Sequence, residues 1–393
     1  MVGFALLLSL LHPNVVKKIQ NKTRSLGFMS VIWTAQIKGF SRKALVLCRF
    51  NFFDSTYSSH MQDPNSHSSK YQYDRIFQGL PLEMNSRALD VFKFQFENNS
   101  LYRNFAKCFL TTPEMIRDLK QIPFLPVSFF KTEAVKTGDF IPEIIFESSG
   151  TTGQVPARHY VKQVGLYRES FVKGFEFFYG DPSDYCILAL LPSYLERSGS
   201  SLVFMVNELM RMSDHGESGF YLYDLEKLRQ VLTRLEKNKQ RTVLIGVSFA
   251  LLDFAEKYSL TLSHAIVLET GGMKGRREEI TRAELHEILK SKFGLTRVHS
   301  EYGMTELLSQ AYSMGDGIYK PVPWMKVLVR DEDDPLNLRE TGEGLLNIID
   351  LANLDSCSFI ATDDVARIYE DGSFEVLGRM DNSDIRGCGL LVV

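Results

Sequence analysis

Residues 146–161 read FESSGTTGQVPARHYV. The six residues Ser148, Ser149, Gly150, Thr151, Thr152 and Gly153 hold two serines, two threonines and two glycines. A β-rich run, IPEIIFE at 141–147, feeds straight into them. Such a loop has little side-chain bulk and many donors. Glycines let backbone N–H groups approach closely, and hydroxyls add further donors, so a loop of this kind at a strand end suits a phosphate. No lysine follows Gly153, so the Walker pattern is absent. The same composition also makes ordinary turns, and the surroundings must decide between the two.

Downstream, buried-strand and amphipathic-helix patterns alternate. DYCILALLPSY (184–194) reads as a buried strand ending in a turn. Residues 222–237 carry a helical apolar period. RTVLIGVSFALLDF (241–254) reads as a strand followed by a helix, HAIVLETGG (264–272) as a third strand, and TRVHSEYGMTE (296–306) as a fourth strand and turn. This βαβ rhythm predicts an α/β fold with mostly parallel sheets flanked by helices. Upstream, residues 73–120 are helical in pattern until Pro123 and Pro126 break it, and their phenylalanines read as core. After Trp324 the texture changes to short strands, with turns expected at Thr341-Gly342-Glu343-Gly344 and Asp371-Gly372. That change predicts a smaller β-rich subdomain.

The 393 residues exceed what one small core needs. With 45 Lys or Arg against 48 Asp or Glu, the net charge of −3 points to no nucleic-acid partner. Residues 1–60 differ from the rest, with eight Lys or Arg and a single acid, Asp54. They read as a basic extension outside the fold, with Met61 an alternative start, rather than as a membrane-surface anchor. FALLLSLL (4–11) is too short to span a bilayer and lacks a signal peptide's flanks. Five scattered cysteines suit reduced thiols in a cytoplasmic protein and no zinc site. The expected organisation is an extension at 1–60, an α/β core at 61–325, a β-rich subdomain at 326–380 and a C-terminal arm at 381–393.

Two further stretches carry chemistry. EYGMTE (301–306) offers an aromatic face, a hydroxyl and a carboxylate within one turn, which suits a base, a phosphate and Mg²⁺. In ATDDVARIYEDGSFEVLGRMD (361–381) an acid at a strand end can accept both ribose hydroxyls, and Arg379 can reach a phosphate.

Taken in order, SSGTTG, EYGMTE and TDDVAR…DG…LGRMD resemble the adenylate-forming superfamily, with Asp363 standing where the family usually has glycine. Within it, LPSYLERSGSSLVFMV (191–206), IGVSFALLDF (245–254), ETGGMKGRR (269–277) and the ending DIRGCGLLVV look like LuxE-type acyl-protein synthetases, and extend the match back to about Met61. Phenylacetate-CoA ligase-like enzymes are the next relatives. The resemblance implies the N-terminal-domain fold of those enzymes, with ATP and Mg²⁺ as cofactors. It implies that a fatty or related carboxylic acid reacts with ATP to give an acyl-adenylate and pyrophosphate. Ser148, Ser149, Gly150, Thr151, Thr152 and Gly153 would cradle the phosphates, and Thr305 would contact the α-phosphate. Glu306 would hold Mg²⁺. Tyr302 and Gly303, with Gly271 and Gly272, would form the adenine slot, and Asp364 and Arg379 would take the ribose-phosphate side.

The superfamily's lysine-bearing C-terminal domain is expected to be absent or reduced to a tail. LuxE-type enzymes carry the acyl group on a cysteine near the C-terminus and pass it to a reductase, and Cys388 stands in that place. Glycines on either side would make a mobile arm, and Arg386 would favour the thiolate. The LLVV that follows it equally suits a buried structural thiol. His159 and His299 stand near the motifs as candidate helpers or as hydrogen-bonded core histidines. An acyl-CoA ligase is the enzymatic alternative, and a non-catalytic nucleotide-binding scaffold is the alternative of another class.

Overall fold

The computed structural model describes residues 73, 75–78, 83–149, 155–192, 196–197, 199–271 and 280–380. Gly150, Thr151, Thr152, Gly153, Gly272 and Cys388 lie outside the described residues, as do residues 1–60 and the 381–393 arm.

The α/β reading holds, and the main sheet is mixed. At one end five strands run parallel in the order Gly219–Phe220, Cys186–Leu190, Thr242–Val247, Ala265–Thr270 and His299–Tyr302. Every residue of Cys186–Leu190 and Thr242–Val247 is buried, as expected of strands covered by helices on both faces. The helices explain themselves. Leu225–Lys237 buries Leu228, Val231, Leu232 and Leu235, one stripe at helical spacing, and Asp224 caps it by accepting from the Lys227 N–H. Arg282–Phe293 opens on a Thr281/Glu284 capping box and stops at Gly294, whose φ of 62° few other residues adopt.

Beyond His299–Tyr302 the direction alternates. Ala311–Ser313, Ile318–Pro321, Phe374–Arg379, Phe359–Ile368, Gly342–Asp350 and Met325–Arg330 follow, each antiparallel to its neighbour. The turn expected at 341–344 is shorter than read: the chain bends at 340–341, Gly342 takes φ 94°, and the nine-residue strand Gly342–Asp350 begins there. Gly344 is needed for close approach rather than for turning, since a Cβ there would lie 2.4 Å from the Arg330 carbonyl oxygen. The turn at Asp371-Gly372 is present, with Gly372 at φ 78°.

The helical region forms two helices, Met84–Asn98 and Ser100–Cys108. They divide at Asn99, whose side chain accepts from the Tyr102 N–H and starts the second. Their aromatic face packs on the long strand Phe359–Ile368: Tyr102 stacks on Phe359 at 5.9 Å, and Phe92 meets it edge-on at 6.1 Å. Phe92 and Phe130 are core residues. Ile144–Glu147 and Arg158–Val161 form a separate antiparallel hairpin with the glycine-hydroxyl loop at its tip. The loop therefore joins two strands. No helix among the described residues is long and apolar enough to cross a membrane.

Candidate active site

The hairpin base is closed by matched contacts. Glu147 pairs with Arg158 at 3.0 Å. The Ser148 N–H donates to the Ala157 carbonyl, and Ser148 Oγ accepts from the Ala157 N–H at 2.8 Å. Ser148 thus braces the loop's neck, while Ser149 is exposed. The Glu147 N–H donates to the Gly199 carbonyl, tying the hairpin to the segment ahead of helix Ser201–Ser213.

His159, on the return strand, joins the hairpin to the EYGMTE segment. It is buried, sits edge-on to Phe130 at 5.8 Å, and places Nδ1 2.8 Å from the Thr305 carbonyl oxygen. A carbonyl only accepts, so Nδ1 carries the proton. Burial holds the imidazole down to about 4 and therefore neutral. Position alone had marked His159 as a candidate; its contact with Thr305 required the fold.

The Tyr302 hydroxyl donates to Asp364 Oδ2 at 2.7 Å. Its ring is buried edge-on to Phe374 and Tyr319. Asp364 and Arg379 face each other across paired strands, and Arg379 Nε lies 3.8 Å from Asp364 Oδ1. The Arg379 side chain is itself 61% exposed. Burial raises Asp364, against the opposing pull of the Tyr302 hydrogen bond and Arg379. The second motif therefore meets the third through one hydrogen bond, and a loose ion pair joins the two strands of the third. Thr305 is half-buried beside them.

Glu306 is buried, and among the described residues its carboxylate has no ion-pair partner. Burial pushes it up to about 6, with Arg379 and Lys131 pulling the other way from a distance. A buried, unpaired carboxylate is costly alone and suits a cation brought from outside. Glu306 thus offers one ligand for Mg²⁺, and no group of three or more His, Cys, Asp or Glu among the described residues would hold the ion by itself.

Behind this surface lies a layer of buried polar groups on the strand ends. Glu269 pairs with Arg282 at 3.0 Å and lies 3.6 Å from His286 Nε2. Glu301 accepts from the Thr270 hydroxyl, and burial lifts it to about 7. A Cβ on Gly303 would stand 2.4 Å from Glu301 Oε1, so the glycine leaves room for that carboxylate to fold back. Gly271, at φ 71°, ends strand Ala265–Thr270, and its carbonyl accepts from Ser248 Oγ. His299 is a core histidine stacked on Tyr179 at 5.7 Å.

Residues 350–358, between the two longest strands, were missed in the sequence. Asp350 is fully buried: Oδ2 accepts from the Leu308 and Ser309 N–H groups at 2.9 and 3.0 Å, and Oδ1 from Ser309 Oγ at 2.6 Å. Asn353 Nδ2 donates to the Glu306 carbonyl at 2.7 Å. From the other side, Gln95 Nε2 donates to the carbonyls of Asn353 and Leu354, and its Oε1 accepts from the Ser358 N–H. The turn carrying Thr305 and Glu306 is thus fixed by this segment and by His159. A polar run inside an otherwise β-rich region, DLANLDSCS, was the available signal.

No family model matches the chain. The long-chain-fatty-acid–luciferin-component ligase of Vibrio harveyi is 22% identical over 350 residues, covering 81% of this chain and 91% of that protein. The resemblance to LuxE-type enzymes is met by that similarity. Among solved structures, ATP-bound MatB from Rhodopseudomonas palustris is 19% identical with a TM-score of 0.45, over 60% of this chain and 47% of that one. The O-succinylbenzoate coenzyme A synthetase of Bacillus subtilis, in complex with ATP and magnesium ion, is 20% identical with a TM-score of 0.45, over 62% and 51%. The chain spans about half the length of these two solved proteins.

Proposed function

We propose that this chain is an ATP-dependent acid ligase that converts a fatty or related carboxylic acid to an acyl-adenylate and then passes the acyl group to a thiol. The observation that carries this reading is the meeting of Tyr302, Asp364 and Arg379 beside Glu306, a buried carboxylate with no ion-pair partner among the described residues. A substrate carboxylate oxygen attacks the α-phosphorus of ATP. The bond from that phosphorus to the bridging oxygen breaks, and pyrophosphate leaves with the electron pair. The carboxylate and the phosphates repel each other, so positioning and charge screening dominate the barrier. Mg²⁺ held by Glu306 would supply part of that screening. Thr305 and the 148–153 loop would orient the phosphates, and Tyr302 would hold Asp364 ready for the ribose hydroxyls. Gly271, Gly272 and Gly303 would border the adenine.

In the second half-reaction a thiolate attacks the acyl carbonyl and AMP leaves. We assign the thiol to Cys388, with a reductase-class protein as onward acceptor. Similarity to the Vibrio harveyi ligase over most of both chains supports the fatty-acid class.

The test is incubation with ATP, Mg²⁺ and a panel of carboxylic acids without CoA, read by pyrophosphate release and intact mass. An acyl adduct that is labile to hydroxylamine and lost in Cys388→Ser is expected. Pyrophosphate release without an adduct, followed by turnover on adding CoA, would make the chain an acyl-CoA ligase. No turnover with any acid would leave a nucleotide-binding scaffold.

A further inference from the structure

Strand Arg158–Val161 and the 350–358 segment border a cavity of about 10 Å³, walled in part by His159, Lys162, Leu308, Asn353, Asp355 and Ser356. That space holds one water-sized species. Among the described residues four buried side-chain polar atoms lack a hydrogen-bond partner, and two of them, Asn353 Oδ1 and Asp355 Oδ2, belong to this one wall. The orientation of Asn353 is settled by its own hydrogen bond: Nδ2 faces the Glu306 carbonyl, which leaves Oδ1 as the free atom. Asp355 Oδ1 accepts from the Tyr73 hydroxyl at 2.5 Å and lies 3.5 Å from Lys162 Nζ, which leaves Oδ2. Both free atoms are acceptors. His159, on the same wall and next to Asn353, carries its proton on Nδ1 toward Thr305, so its Nε2 has no proton to give either oxygen. The occupant must therefore donate. Lys162 already balances the Asp355 charge, so a neutral donor suits the site better than a metal ion.

We propose that one internal water occupies this cavity, donating one proton to Asn353 Oδ1 and the other to Asp355 Oδ2. Through it Asp355 acts as a positioning residue for the turn of Thr305 and Glu306. The chain of contacts runs from Lys162 and Tyr73 through Asp355 and the water to Asn353, and from the Asn353 amide to the Glu306 carbonyl. The positioning role rests on the adenylation reading; the water does not.

The first test is a crystal structure of the full chain, grown in sodium salt, with a second crystal soaked in rubidium. One peak within hydrogen-bonding distance of both oxygens, with no anomalous rubidium signal, is the expected result. Anomalous density there would replace the water with a monovalent cation. No peak, with both oxygens bonded to protein groups instead, would overturn the site. The second test compares Asp355→Asn, which keeps the shape and can still hold the water, with Asp355→Leu, which fills the space. The Mg²⁺ concentration for half-maximal pyrophosphate exchange is expected to rise several-fold in the leucine variant and to stay near that of the parent in the asparagine variant. Equal magnesium dependence in the two, at matched folded fraction, would overturn the positioning role. A water found in place with no exchange in the parent protein would sink that role and the adenylation reading together, while the water site would stand.

Discussion

Glu306 shows what a buried carboxylate costs its own fold. Its carboxyl is raised to about 6 by burial, so the folded state binds its proton more tightly than the unfolded chain does. The stability this gives is fully present below the ordinary value near 4.5 and is lost as pH rises through 6. Glu306→Gln mimics the protonated form. It is expected to leave stability unchanged at pH 4 and to raise it at pH 8 by about 2 kcal/mol in urea titrations, while abolishing Mg²⁺-dependent pyrophosphate exchange. An equally stable variant at pH 8 would show that the carboxylate has a partner. Gly303 poses the opposite problem. Gly303→Ala drives a methyl against Glu301 Oε1 and is expected to cost roughly 1–3 kcal/mol. The loss should shrink in the background of Glu301→Ala, and additive losses in the double variant would show that the two residues do not interact.

At the scale of elements, the hairpin and the 350–358 segment grip the same turn from two sides. His159→Phe keeps a ring against Phe130 but strips the donor from the Thr305 carbonyl. A loss of about 1–3 kcal/mol is expected, with slower pyrophosphate exchange at saturating ATP; an unchanged rate would detach the hairpin from catalysis. Gln95→Leu removes two donors and one acceptor from residues 353–358. It is expected to cost on the order of 3 kcal/mol or more, although Gln95 lies on a helix that carries none of the motifs. The parallel strands were legible because runs such as CILAL and TVLIGV are buried on both faces and read as continuous apolar segments. The glycine-hydroxyl stretch was legible as a loop, but not as the tip of a hairpin. RHYV alternates too briefly to announce a return strand. The role of Gln95 was invisible, because it finds its partners more than 250 positions away in the chain.

For the whole molecule, Tyr302 of the second motif and Asp364 of the third, far apart in the chain, are brought together by the sheet. Strand His299–Tyr302 is where parallel pairing gives way to antiparallel, and EYGMTE begins there. Sequence texture caught both halves but not their union, because Ala311–Ser313 and Ile318–Pro321 are too short to stand out. A chain beginning at Met61 is expected to exchange pyrophosphate at the rate of the full chain and to melt at the same temperature. A lower melting temperature would give residues 1–60 a place in the fold.

The buried Asp350 has a consequence for how the protein breathes. The Leu308, Ser309 and Ala352 amides that it holds sit in irregular or single-turn backbone, where deuterium ordinarily enters quickly. Each is closed by one carboxylate that is itself fully buried. These three amides should therefore take up deuterium on the timescale of global opening, as slowly as those at the centre of the sheet. The turn that presents Thr305 and Glu306 would then be drawn as a loop yet behave as part of the core.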